Sequence, residues 1–150
     1  MTRILCLGDS ITDCGRLFSA DPLGKGYVKQ LSCLLHNTDH RFSIENRGID
    51  GFTLERLLQN TDFWLESSDP DIVTVLIGIN DVGIMMNTRR SSAQQQDLMN
   101  KFVTHYELLA KAILHKLPET KALFPGTLCF SMATLLRFLG SPSFPDVRAY

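Results

Sequence analysis

This 150-residue sequence lacks the features that mark several large protein classes. Its apolar runs are all shorter than the ~18 residues of a membrane-spanning helix, so no membrane partner is expected. The net charge is −1 and the Lys and Arg residues are scattered, which excludes a nucleic-acid footprint. No glycine-rich phosphate-binding sequence follows any predicted strand. Met1-Thr2-Arg3 leads directly into a predicted strand with no secretory signal, so a cytoplasmic location is expected.

Cysteines are few, and their spacing matches neither a CxxC pair nor a zinc site. Cys6 lies in a predicted strand and Cys33 on the apolar side of a predicted helix, so both are interpreted as reduced core thiols, and Cys129 likewise as reduced. Cys14 follows Ser10 by four residues and could rim a site, although an incidental role is the simpler interpretation. The sequence therefore predicts no metal centre.

Apolar patterns predict alternating strands and helices in a single domain covering residues 1–150. Continuous or alternating apolar runs predict strands at 4–7, 41–45, 72–77 and 121–124. Helical spacing predicts helices at 27–36, at 54–67 behind a Thr53 cap, and at 92–117, where Pro118 ends the last helix. Loops are predicted at 15–26 and 78–90. The order predicts an α/β fold, a three-layer α/β/α sandwich around a parallel, flavodoxin-like sheet.

Three short blocks follow the first three predicted strands, at the edge where open α/β sheets place their sites. They are Gly8-Asp9-Ser10, Asn46-Arg47-Gly48 and Gly78-Ile79-Asn80-Asp81. A hydroxyl and several amide donors converging there would provide a nucleophile and a site for the oxyanion formed from an ester.

In this order the blocks resemble those of the SGNH hydrolases, also called GDSL esterases and lipases, from about residue 3 to about residue 121. The resemblance implies hydrolysis of small acyl or acetyl esters through a serine acyl-enzyme, without metal or cofactor. It implies that Ser10 is the nucleophile, and that the Gly48 N–H and the Asn80 side-chain amide form the oxyanion hole. Asp9 and Asp81 would support the loops rather than act as acid–base catalysts.

Each of these residues also has a purely structural interpretation. Ser10 could cap a helical turn beginning at Ile11, since serine is a good N-cap residue. Gly48 could be an ordinary turn glycine, as Gly51 is interpreted to be, and Asn80 could form an Asx-turn.

Charged residues near the blocks have two interpretations each. Arg16 and Arg47 could contact a polar or anionic group of the substrate, or they could be solvated surface residues. Asp13 is interpreted as a carboxylate that binds the backbone and shapes the loop after Ser10.

The catalytic base that the resemblance implies is missing. The family pattern ends with an Asp followed three residues later by the catalytic His, and no such block occurs here. The available histidines are His36, His40, His105 and His115. A serine without an adjacent base is a poor nucleophile, so impaired activity is expected. The alternative is a non-catalytic remnant that binds acyl ligands or another protein.

Residues 122–150 depart from the pattern of the preceding chain. Their only charges are Arg137, Asp146 and Arg148, and residues 128–139 are almost wholly apolar. We hypothesise a truncation or frameshift near residue 123, which would alter the C-terminal strand and helix. Loss of a strand exposes unpaired backbone and apolar surface, so self-association through the sheet edge or the tail is expected.

Overall fold

The computed structural model describes residues 1–38, 41–66, 69–87, 89–118 and 121–123. Its strands are β1 (Thr2–Gly8), β2 (Phe42–Gly48), β3 (Ile72–Leu76) and β4 (Lys121–Leu123). Its helices are α1 (Ser10–Asp13), α2 (Tyr27–Thr38), α3 (Leu54–Gln59), α4 (Thr61–Glu66), α5 (Ile79–Met85) and α6 (Ser92–Lys116), with a 3₁₀ turn at Arg16–Phe18. The proposed rewriting of the chain beyond residue 123 lies outside the described residues.

The four strands form one parallel sheet in the order β2-β1-β3-β4. The strand that comes first in the sequence is therefore central, and the next two pair with its two sides. Gly8 at the end of β1 is opposite Gly48 on one side and Leu76 on the other. This register brings the carboxyl ends of three strands to the same level, as the sequence predicts.

Helices cover both faces of the sheet, which confirms the three-layer α/β prediction. On one face, Val28 of α2 packs with Ile4 and Cys6 of β1. On the other face, α3 to α6 pack against the apolar side chains of β1 and β3 in a larger core. Continuous apolar strands are expected in a sheet that is covered on both sides.

The predicted helix after Thr53 is divided into α3 and α4 at Asn60, and this changes which side chains are buried. Thr53 caps α3 as predicted, accepting the N–H of Arg56 at 3.4 Å. The apolar residues after Thr53 are predicted to form one buried stripe that includes Phe63, but Phe63 is 67% exposed while Trp64 is buried. Phe63 follows Leu54 by about two and a half helical turns, so it lies on the opposite face, and its apolar character alone misplaced it. Cys33, also predicted to be buried, is exposed on α2.

The predicted loop at 78–90 contains the helix α5, so that prediction is wrong for residues 79–85. Its Asn and Gly residues have low helix propensity, and this is why the sequence indicates a loop. Val82 and Met85 nevertheless pack against the larger core, one turn apart. Tertiary packing of this apolar face overrides the weak local preference.

The long helix predicted at 92–117 is confirmed as α6, and its start is fixed by a capping box. The hydroxyl of Ser91 accepts the N–H of Gln94 at 3.3 Å, and the Gln94 side chain accepts the N–H of Ser91 at 2.9 Å. Phe102, Leu109 and Ile113 lie on its buried stripe. Within the described ranges, no helix has both the length and the apolar character needed to cross a bilayer.

Replacing Ser91 with Ala should lower the free energy of unfolding by about 1 kcal/mol, because the N–H of Gln94 loses its acceptor. Ser92→Ala is the matched control, since Ser92 is the exposed first residue of the same helix; it should change stability by less than about 0.5 kcal/mol. Urea unfolding of the two variants measures the difference. Equal stabilities would show that the capping box does not contribute.

Candidate active site

The three sequence blocks meet at the carboxyl edge of the sheet. The second block does not follow β2 but forms its last three residues, with Asn46 opposite Cys6 and Gly48 opposite Gly8. Just beyond β2, the N–H of Ile49 donates to the carbonyl oxygen of Gly8 at 3.0 Å. The end of β2 is thus bonded to the backbone two residues before Ser10.

Ser10 is the first residue of α1, and it does not cap that helix. The N-cap is Asp9, whose carboxylate accepts the N–H of Ile11 at 3.0 Å. Ser10 is half-buried, and its hydroxyl has no hydrogen-bond partner within the described part of the chain. The interpretation of Ser10 as a helix cap is therefore wrong, because Asp9 has that role and leaves the serine hydroxyl unengaged.

Gly48 is packed against α1 so closely that it has no room for a side chain. A Cβ atom there would lie 2.2 Å from the N atom of Asp13 and 2.6 Å from the carbonyl carbon of Thr12. Its N–H donates to Oδ1 of Asn46 at 2.9 Å in the buried interior. This amide therefore already has a partner inside the protein, which leaves the Gly48 N–H no free hydrogen for the oxyanion role predicted for it.

Gly51, interpreted from the sequence as a plain loop glycine, has the free backbone donor that Gly48 lacks. It adopts φ +70°, a Cβ at this position would have no atom within 4 Å, and its N–H has no partner among the described residues. It lies in a turn closed by the N–H of Phe52, which donates to the Ile49 carbonyl at 3.2 Å. The signal available in the sequence is its place in the Ile49-Asp50-Gly51 segment directly after the second block.

Two side chains of the third block hold this turn from the other side. Nδ2 of Asn80 donates to the carbonyl oxygen of Phe52 at 2.8 Å, which leaves its second amide hydrogen without a partner in the described residues. The carboxylate of Asp81 accepts the N–H of Leu54 at 3.0 and 3.2 Å. The N–H of Val82 donates to the Gly78 carbonyl rather than to the Asn80 side chain, so Asn80 does not form an Asx-turn, and the Asp81 carboxylate binds the first backbone N–H of α3.

Burial governs the ionisation of the two supporting carboxyls. It raises the pKa of Asp9, a rise that the N–H of Ile11 opposes and the nearby charge of Asp50 increases. It also raises the pKa of Asp81, against the opposing N–H of Leu54, and the charge of Asp9 adds to that rise. Oδ2 of Asp9 is buried without a hydrogen bond in the described structure.

The two arginines considered as substrate contacts are bonded within the protein. Nη2 of Arg16 donates to the Gly48 carbonyl at 2.8 Å, and its Nε lies 3.7 Å from Oδ1 of Asp13. The other carboxylate oxygen of Asp13 accepts the N–H of Gly15, which fits the loop-shaping role expected of it. Arg47 pairs with Glu45 and lies over the ring of Phe63. Arg16 is thus a link between the loop after α1 and the end of β2.

No histidine is hydrogen-bonded to Ser10 within the described residues. His36 lies on α2, where Nδ1 contacts the Ser32 carbonyl oxygen at 2.8 Å. His105 and His115 lie on α6, and His40 lies outside the described residues.

Cys14 ends α1 in a left-handed conformation at φ 40°, with its thiol free. The described part of the chain contains no group of His, Cys, Asp or Glu arranged to hold a metal ion.

Comparison with known proteins gives one consistent result. The model of the GDSL-like lipase/acylhydrolase family matches residues 6–148. An acetylxylan esterase from Geobacillus stearothermophilus is 39% identical over 87 residues, which cover 53% of this chain and 40% of that protein. The match thus spans well under half the length of this curated relative.

Two solved structures extend the comparison to the fold. A GDSL-like lipase from Parabacteroides merdae superposes with a TM-score of 0.70 at 27% identity, over 82% of this chain and 58% of that one. A catalytic mutant of the Geobacillus esterase gives a TM-score of 0.67 at 28% identity, over 82% and 58%. Solved structures of the Geobacillus esterase include three catalytic mutants, which replace a serine, an aspartate, or the histidine three residues after that aspartate.

Replacing Gly48 with Ala should destabilise the fold by about 1–3 kcal/mol, because the added methyl group meets the backbone of α1, which cannot move aside like a side chain. The N–H at position 48 is retained, so loss of a donor cannot explain the effect. Gly83→Ala is the control: Gly83 lies within α5 with open space around it, and alanine there should stabilise the helix by about 0.5–1 kcal/mol. Thermal unfolding of both variants distinguishes steric exclusion from a general intolerance of substitution.

The carboxyls of Asp9 and Asp81 should titrate above the ordinary aspartate pKa of about 3.9 in a side-chain carboxyl NMR titration. Because their pKa values are higher in the folded than in the unfolded chain, the stability they contribute is complete below the unfolded value and is lost as pH rises through the folded value. Asp21 is the internal control. Its bonds to Lys29 and to the N–H of Leu23 lower its pKa, so it should titrate first from the acid side. Asp9 titrating together with Asp21 would contradict the burial argument.

Proposed function

The chain belongs to the GDSL-like lipase/acylhydrolase family, and on that premise we propose that Ser10 attacks small acyl or acetyl esters. The observation that carries the proposal is the free, half-exposed hydroxyl of Ser10 at the start of α1, at the edge of the sheet where the strands of the two other blocks also end. In this reaction the serine oxygen bonds to the ester carbonyl carbon, the serine proton passes to solvent water, and the carbonyl oxygen gains the negative charge. Collapse of the intermediate breaks the bond to the alcohol and leaves an acyl-serine, which water then hydrolyses.

Two unengaged N–H groups support oxyanion binding in this proposal. One is the backbone N–H of Gly51, and the other is the second side-chain hydrogen of Asn80. The same Asn80 amide fixes the Phe52 carbonyl, so the two donors are held by one turn and need no rearrangement when charge develops. Donors fixed before reaction are the effective ones, each worth about 3 kcal/mol in the transition state.

The proton of Ser10 needs an acceptor, and the described residues offer no histidine bonded to it. In the Geobacillus relative, catalytic mutants replace an aspartate and a histidine as well as the serine. With oxyanion binding but no histidine bonded to Ser10, turnover should fall by orders of magnitude from that of a complete serine hydrolase. We therefore propose weak, serine-dependent hydrolysis by this chain.

Acetyl esters of carbohydrates are the proposed substrate class. The support comes from the curated relative, an acetylxylan esterase, and from solved relatives described as acetyl-xylooligosaccharide esterases. The second candidate function is binding of acylated ligands without turnover. It is favoured by the same missing base, because the oxyanion donors do not depend on a base.

Hydrolysis of p-nitrophenyl acetate should be faster with the unaltered chain than with Ser10→Ala, which should fall to the spontaneous rate because the nucleophile is gone. Ser92→Ala, an exposed serine on α6, is the matched control and should keep the full rate. Equal rates for the unaltered chain and Ser10→Ala would reject catalysis and leave ligand binding. Release of acetate from acetylated xylo-oligosaccharides, against a long-chain ester, tests the substrate class.

A further inference from the structure

Asn46 is a buried polar residue beneath the site. It is 3% exposed, and both ends of its amide are bonded to backbone. Nδ2 donates to the carbonyl oxygens of Thr12 at 2.7 Å and Leu23 at 2.8 Å. Oδ1 accepts the N–H of Gly48 at 2.9 Å. One side chain therefore connects α1, the loop after it and the end of β2.

Two of these three partners, Thr12 and Gly48, lie in or next to the segments that contain the proposed reacting groups. Thr12 lies in α1 two residues after Ser10, and α1 has only four residues, so its carbonyls have few partners within the helix. Gly48 precedes the turn that contains Gly51 and Phe52. The bond to Thr12 spans 34 residues of sequence and the bond to Leu23 spans 23. Asn46 thus fixes α1 relative to the oxyanion turn.

The chemistry of the amide group suits this place better than that of any other side chain of similar size. The site offers two carbonyl acceptors and one N–H donor, and an asparagine amide offers two donors and an acceptor. An ionised aspartate has the same shape but no donor, so it would present negative charge to two carbonyl oxygens. The site and the asparagine amide match in the number of hydrogen bonds and in which group donates each one. This match distinguishes Asn46 from a residue that only fills space.

We propose that Asn46 is a positioning residue that holds the Ser10 turn against the oxyanion turn; the catalytic part of this inference rests on the proposed function. Arg16 makes the parallel link on the outer side, between its own loop and the Gly48 carbonyl. Arg16 also lies 3.7 Å from the Asp13 carboxylate of α1, but only as an ion pair, whereas Asn46 hydrogen-bonds the backbone of α1. Removal of the Asn46 donors therefore loosens α1 even with Arg16 in place.

The test compares Asn46→Asp with Thr61→Val in the full chain. Thr61 is also buried, and its hydroxyl donates to the Leu58 carbonyl on α3, so it controls for the loss of a buried side-chain hydrogen bond. If Asn46→Asp fails to fold, Asn46→Ser, which is smaller and uncharged, takes its place. Hydrogen exchange is measured at Asp13 and Cys14, whose N–H groups close α1 on Asp9 and Ser10 at 2.9 Å.

In the Asn46 variant, exchange at Asp13 and Cys14 should accelerate at least about tenfold while amides in α6 keep their rates, because opening is local. Thr61→Val should not change exchange in α1. An unchanged α1, or an equal acceleration through the whole fold, would overturn the inference, since either would make Asn46 a general stability residue.

The kinetic arm uses p-nitrophenyl acetate at matched concentrations of folded protein. The kcat of the Asn46 variant should fall about 10- to 100-fold, with KM changed by no more than about twofold, because misplacing a nucleophile affects the transition state more than binding. An unchanged kcat per folded molecule would overturn the positioning role. If turnover in the unaltered chain does not depend on Ser10, the proposed function fails, and the exchange contrast alone decides whether Asn46 holds α1.

Discussion

The contact between α1 and the ends of β1 and β2 is the constraint on which the site depends. A Cβ at Gly8 would lie 2.2 Å from Oγ1 of Thr12 and 2.3 Å from the carbonyl oxygen of Leu76, and a Cβ at Gly48 would meet the backbone of Asp13. With both side chains absent, backbone approaches backbone closely enough for Asn46 and Ile49 to bond across the gap. The position of Ser10 is therefore set by main-chain packing rather than by the serine itself.

The carboxyls of Asp9 and Asp81 show how polar groups are tolerated beneath the contact between α1 and the strand ends. Asp9 and Asp81 are removed from water, which is unfavourable for the charged form, and each accepts a backbone N–H that offsets part of that cost. Their negative charge also opposes a developing oxyanion. The proposed donors at Gly51 and Asn80 have to outweigh that repulsion at short range, and a poorly hydrated surrounding strengthens both effects.

Sequence patterns predicted the parallel sheet because strands buried on both faces consist of continuous apolar runs such as Ile4-Leu5-Cys6-Leu7. They predicted the location of the blocks because carboxyl ends of parallel strands share one edge. They missed α5, which depends on tertiary packing, and the exposure of Phe63, whose apolar character outweighed its helical phase in the prediction. The sequence could not distinguish the role of Gly48 from that of Gly51, because it does not reveal whether the N–H of a glycine is already hydrogen-bonded in the fold.

The central position of β1 has a consequence for the order in which the molecule assembles. Strand β1 is synthesised before both of its neighbours, and the second of these, β3, ends only at Leu76. Contacts of such long sequence separation form slowly, because closing the intervening chain costs entropy first. Ser10 is therefore made before the other residues of the site, but it reaches its final surroundings only after Asn80 and Asp81 have been made.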